Sequence, residues 1–156
     1  MTDGRVFAIL TTTLGLVALI HALATWPIEA TVALFLGGAI VAFVGEYVVI
    51  RIGWLEHHVG PFLLGVPLYV LFGWTATVYV AFRVSLVVTP GVAAILLAGI
   101  LATTYDVLTD HRGVEDGHWT YTDGVPGPRF REVPWWNFAG WFVISTGTAA
   151  LAYPFL

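Results

Sequence analysis

Apolar residues run through this chain in five long stretches separated by short polar breaks. The stretches are Val6 to Trp26, roughly Ala30 to Ile50, a segment within Pro61 to Phe82, Gly91 to Leu108, and Asn137 to Leu156. Each is apolar around its whole circumference, unlike the single stripe of a surface helix. About 20 mainly apolar residues cross the hydrocarbon of a bilayer as an α-helix. In lipid a helix satisfies its own backbone groups, and the dyad alternation of a membrane barrel is absent. The expected fold is all-α, a polytopic membrane bundle of about five transmembrane helices in one domain over residues 1–156. No repeat of 20–50 residues is visible.

The breaks carry the expected punctuation. Pro27 ends the first run, because proline lacks the N–H that would extend the helix. Thr89-Pro90-Gly91 opens the fourth, with Thr89 as the expected N-cap. Pro134 precedes the fifth. Pro67 should kink the third helix or delay its start. The first run is too long for a signal-peptide core and reads as a retained span.

Composition sharpens the class. Hydrophobic residues make up 58% and charged residues 10%, against about 45–50% and about 25% in soluble domains. A soluble domain and a disordered chain are excluded. A nucleic-acid partner is excluded as well, since the net charge is −4 and such a partner needs a basic face. There is no cysteine, which removes disulfides and thiolate chemistry. All six basic residues are arginine. Arg5, Arg51, Arg112, Arg129 and Arg131 share one side of a five-span topology, and Arg83 alone takes the other. The positive-inside rule then expects a cytoplasmic N-terminus in a multi-pass cell-membrane protein. Lysine-free, acid-rich segments suit the high-salt cytoplasm of a halophilic source, and GC-rich coding also removes lysine.

Polar groups gather on the arginine-rich side. Glu46 lies near the end of the second run and His57-His58 follow it. Asp106 and Asp110 lie one helical turn apart at the end of the fourth. His111, Glu115, Asp116 and His118 come next, and Asn137 opens the fifth. Acids within a span are costly, roughly 2.5–3.5 kcal/mol each at mid-helix, so their convergence on one leaflet is informative. Plainer roles are also available. Glu46 could pair with Arg51, and Asp110, Glu115, Asp116 and Asp123 could be solvated loop acids. His21 could serve helix packing, and the tryptophans could form an interfacial belt. Residues 109–136 read as a long cytoplasmic loop whose aromatics suit folding back over the bundle mouth.

The strings LATTYDVLTD, GHWTY and VPWWNFAGWF, with GEYVVIRIG and GVPLYVLFGW upstream, resemble the membrane carotenoid-biosynthesis hydratases, including bisanhydrobacterioruberin hydratase. The chain reads as a shortened member, and the resemblance implies a halophilic archaeon as its source. Where the family pattern has proline after the second aspartate this chain has His111, and where it has glycine before Val-Pro this chain has Glu132. The resemblance implies acid-catalysed hydration of a terminal double bond in a C50 or related carotenoid, without cofactor or metal. Under it Asp106 donates the proton, Asp110 or Glu46 positions the water or takes its proton, and Asn137 holds the water or the new hydroxyl. Tyr105, Trp119, Trp136 and Trp141 would line the substrate slot.

Two other readings stay open. One is a non-catalytic carotenoid- or lipid-binding subunit. The other is an intramembrane metal enzyme using His57, His58, His111 and His118 with Glu46 or Asp106. The expected partners are a carotenoid or other long isoprenoid lipid and membrane lipids, with room for a homo-oligomer or a membrane-complex subunit.

Overall fold

The computed structural model describes residues 3–122 and 124–156, so Asp123 lies outside the described residues. Helix α1 spans Gly4–Thr25. Its first turn is capped by Asp3, whose Oδ1 accepts from the Arg5 and Val6 amides, satisfying N–H groups that have no partner within the helix. Helix α2 spans Ile28–Arg51 and contains one π-helical turn at Ala33–Gly37. Helix α3 is Leu68–Val88, α4 is Gly91–Glu115, and α5 is Trp135–Ala152. Among the described residues four helices, α1 to α4, are long and apolar enough to cross a membrane. Helix α5 has 18 residues, opens with Trp135, Trp136 and Asn137, and packs along both α2 and α4. The fold is an all-α polytopic membrane bundle.

Several boundaries differ from the sequence reading. Pro67 starts α3 late, standing as its N-cap in extended conformation. Thr89 caps the C-terminus of α3 and donates its amide to the Ser85 carbonyl, so it is not the N-cap of α4, a place taken by Pro90. Helix α4 continues to Glu115, which makes Asp110, His111 and Glu115 helical. The segment after it is also largely structured. Strand β1 (Leu55–His57) pairs antiparallel with β4 (Trp119–Tyr121). Strands β2 (Phe62–Leu63) and β3 (Val66–Pro67) form a hairpin, as do β5 (Arg129–Phe130) and β6 (Val133–Pro134).

These connections reveal an internal repeat. Helices α2 and α4 both end on a glycine with positive φ, Gly53 at 76° and Gly117 at 74°. Their last turns close through matching bonds, Trp54 N to Val49 O and His118 N to Gly113 O. Each helix is followed by a strand, a two-residue hairpin and a returning helix. The β1–β4 pairing is itself symmetric: Glu56 opposes Thr120 at the centre, with Leu55 against Tyr121 and His57 against Trp119 on either side. The flanking bonds exchange too, His58 N to His118 O and Thr122 N to Trp54 O. The repeat period of 64 to 67 residues lies beyond the 20–50-residue window of the sequence expectation. Both units run in the same direction, so their pseudo-two-fold axis lies along the bundle, as in parallel membrane repeats.

The repeat places α2 and α3 in one hairpin and α4 and α5 in the other, and each returning helix packs on both outgoing ones. Small residues permit the approach. A Cβ at Gly38 of α2 would stand 2.6 Å from Thr148 of α5, as expected where lipid supplies no hydrophobic drive and close packing must. Helix α1 lies outside the repeat and docks on α3, with Gly15 against Phe72 and Gly73 against Thr11.

The two hairpin turns differ in chemistry. Both central residues have positive φ, Leu64 at 52° and Gly65 at 92° in one, Arg131 at 49° and Glu132 at 68° in the other. That is the type I′ requirement, which favours glycine second. The left-handed region costs a residue with a Cβ about 1–2 kcal/mol, and glycine's extra freedom in the unfolded chain returns part of it. Glu132→Gly should therefore stabilise the protein by roughly 0.5–1 kcal/mol. Thermal unfolding in detergent checks this, and an unchanged or lowered midpoint contradicts it.

Candidate functional site

At the bundle end where α2 and α4 stop and α3 and α5 begin, the β1–β4 pair lies over a cavity of about 360 Å³. This size falls in the range of small-molecule sites. Four carboxyl residues line it: Glu46 from α2, Asp106 and Asp110 from α4, and Asp116 just past the end of α4. The three on the helices are each hydrogen-bonded to a protein side chain. His57 Nε2 lies 3.2 Å from Glu46 Oε2. The Tyr121 hydroxyl donates to Asp110 Oδ2 at 3.0 Å. Asn137 Nδ2 donates to Asp106 Oδ2 at 2.9 Å. The Tyr69 hydroxyl reaches His57 Nδ1 at 3.4 Å. If Nε2 carries the proton toward Glu46, Nδ1 is the acceptor for Tyr69, and the two contacts select one tautomer.

Aromatic rings complete the walls. Trp74 of α3 and Trp141 of α5 stack with centroids 3.6 Å apart and planes 10° apart, and both line the cavity with Tyr105 and Trp119. Trp74 and Trp141 therefore do not belong to an interfacial belt. Trp119 fits beside α4 because residue 113 is glycine, where a Cβ would overlap the indole ring. Phe7 of α1 closes one side, stacked on His118 at 4.4 Å.

Of the residues singled out from sequence, Glu46, Asp106, Asp110, Asn137, Tyr105, Trp119 and Trp141 line this one cavity. Trp136 does not: it stands behind the wall, against Trp54 at 5.3 Å and Tyr121 at 5.6 Å. Asp110 is not a solvated loop acid, since it is helical and bonded to Tyr121. Glu46 pairs with His57, while Arg51 lies over the Tyr47 ring at 5.2 Å. The histidines diverge. His58 meets the Thr120 hydroxyl at 2.9 Å and His111 Nε2 accepts from Arg131 at 2.8 Å. Among the described residues no three His, Asp or Glu side chains form a group able to hold a metal ion, so the metal-enzyme reading has no ligand set there.

Sequence reasoning passed over Tyr69, Tyr121 and Trp74, and read His57 only as a metal candidate. The repeat supplies the missing signal. Residues 60–74 and 127–141 share glycine, proline, Val-Pro and Gly-Trp in the same places. In the register of the repeat Glu46 matches Asp110, His57 matches Tyr121, Tyr69 matches Trp136, and Trp74 matches Trp141. Two equivalent acid–donor pairs thus flank the axis. The Asp106–Asn137 pair breaks the symmetry, because its counterparts in the other unit are Ala42 and Val70.

A family model described as carotenoid biosynthesis protein matches residues 4–156. The chain belongs to this carotenoid biosynthesis family. No curated protein and no solved structure matches it. The family match covers both repeat units and α1 of the carotenoid biosynthesis protein, so the whole cavity wall falls within it. The match supports a role in carotenoid biosynthesis and, with the apolar helices, association with membrane lipid.

Tyr121 stands on β4, in the cap over this carotenoid biosynthesis protein's cavity. Burial first, and the neighbouring Asp110 carboxyl next, push its phenol well above its usual value of 10.0. Tyr121 therefore stays a donor to Asp110 at every ordinary pH. Above about pH 10 an unfolded tyrosine ionises while the buried one does not. The unfolded state then binds fewer protons, and stability falls as pH rises. Tyr121→Phe should lower stability at neutral pH by about 1–3 kcal/mol through the orphaned Asp110, yet lose less than the parent on going above about pH 10. Thermal unfolding across that range measures both, and equal alkaline losses would contradict the assignment.

Proposed function

We propose that this carotenoid biosynthesis protein hydrates a terminal, isolated double bond of an acyclic carotenoid, with Asp106 as the proton donor. The observation that carries the reading is the Asn137–Asp106 hydrogen bond inside a cavity also lined by Glu46, Asp110 and stacked aromatics. Asn137 occupies one oxygen of Asp106, which leaves the other to carry a proton. Asp106 is only 3% exposed, so bulk water does not compete for that proton.

The reaction balances without a cofactor. The acid O–H of Asp106 protonates the less substituted alkene carbon, and the alkene's π electrons form the new C–H bond. The adjacent carbon becomes a tertiary cation. A water lone pair closes the C–O bond, and the resulting oxonium loses a proton to Glu46, backed by His57, or to Asp110. A return of that proton through the cavity to Asp106 restores the starting state, and the product is a tertiary alcohol. The faces of Trp74, Trp141 and Tyr105 suit the cationic stage, since an aromatic quadrupole attracts positive charge.

The symmetry of the bundle supports the division of labour. The paired acids Glu46 and Asp110 repeat between the units, whereas Asp106 and Asn137 occur once, where one distinct acid is required. The non-catalytic alternative, a carotenoid-binding subunit, draws on the aromatic walls alone. The two separate in cells supplied with an acyclic carotenoid precursor and extracted for pigments. Asp106→Asn should reduce the hydroxylated product about a hundredfold or more, the scale of a lost general acid, with the protein still inserted in the membrane. Unchanged product in that variant removes Asp106 from the role, and absence of product from the parent protein favours the binding subunit.

A further inference from the structure

A second concavity of about 720 Å³ runs up the bundle between α1, α3 and α4. It meets the acid cavity at Thr77 and Tyr105, which line both. Its walls are small or aliphatic, including Ala18, Ala76 and Ala102, and it ends at His21, Tyr79 and Arg83. Tyr69 in the acid cavity and Arg83 at the far end are 14 residues apart on α3, about 21 Å along a helix axis. The slot owes one wall to α1, the helix with no counterpart in the repeat.

We infer that this slot is the binding track for the polyene chain of the substrate, with the reacting end in the acid cavity and the conjugated chain lying between α1, α3 and α4. Which end enters first rests on the hydration reading; the occupancy of the slot does not. The occupant follows from physics. A chain moving from lipid into an apolar protein slot gains no hydrophobic free energy, because acyl chains are equally apolar. Selection then depends on shape and on the entropy of ordering. A conjugated chain is already straight and stiff, whereas a saturated chain must freeze many torsions to lie there. Ala18, Ala76, Ala81 and Ala102 carry nothing beyond Cβ, which leaves room for a rod laid along the slot. The outer end carries a polar pair, His21 Nδ1 with the Tyr79 hydroxyl at 2.6 Å. Beyond it Arg83 lies over the Trp26 ring at 5.6 Å. These groups mark where the apolar track stops.

The test uses purified full-length protein in detergent, titrated with lycopene and followed by visible absorption and induced circular dichroism. Leu14 and Val80 stand on the slot's rims and are 65% and 56% exposed, so Leu14→Trp and Val80→Trp narrow it without disturbing buried packing. Leu96→Trp lies outside both cavities at a similarly exposed site and reports any general effect. Leu14→Trp and Val80→Trp should each weaken lycopene binding about tenfold or more, while Leu96→Trp binds like the parent. Fully hydrogenated lycopene should compete about tenfold less well or worse. Parent-like binding by both rim variants, or equal competition by the saturated chain, overturns the proposal. Binding as expected together with no tertiary alcohol from the parent protein would leave the slot in place and remove the hydration reading.

Discussion

Lipid offers no hydrogen bond, so a carboxyl group carried into a membrane bundle needs a donor from the protein itself. Glu46, Asp110 and Asp106 share one cavity here, and each of them has its own partner: His57 for Glu46, Tyr121 for Asp110, Asn137 for Asp106. Two of those partners arrive on short strands that pair across the ends of α2 and α4. The remaining architecture of this end of the molecule serves that pairing. The glycines at 53 and 117 turn the chain out of each helix, and the hairpins that follow return it into α3 and α5.

Duplication explains why so small a chain builds a closed site. Each helical hairpin supplies one acid, one strand donor and one tryptophan, and the two-fold relation brings the copies face to face. The Trp74–Trp141 stack is the clearest consequence, since equivalent residues meet where the two units come together. Departure from symmetry then creates difference. The Ala42 and Val70 positions are apolar in one unit, and their counterparts are Asp106 and Asn137 in the other. Helix α1, added to one flank, converts part of a lipid-facing surface into the long slot that opens onto the acids.

Much of this was legible in the residues. The five helices follow from hydrophobic runs, and the gathering of Glu46, Asp106, Asp110 and Asn137 at one membrane face follows from counting turns along each run. Family membership was visible in the strings around Asp106 and Trp119 and is carried by a match over nearly the whole chain. Less legible was the far end of α4. The end of the apolar run at Leu108 suggested a loop, yet the helix runs to Glu115, and Gly113 leaves room for Trp119 beside it. The strands were invisible for a related reason: two or three residues have no usable period, and β1 and β4 find each other some 64 positions apart.

Sequence by itself determined what is local or cumulative: apolar stretches long enough for membrane helices, the breaks between them, and how far along its helix each polar residue sits. Those properties follow from helix pitch and from the cost of polar groups in hydrocarbon, neither of which depends on neighbours in space. Tertiary structure alone decided the pairings. His57 turns to Glu46 and His58 to Thr120, although they are adjacent in the chain, because successive side chains at the end of β1 and just beyond it point to opposite sides. Trp136 stands outside while Trp141 stands inside for the analogous reason on α5. Rotation about a helix or strand axis is set by packing against the second repeat unit, and no single segment carries that information.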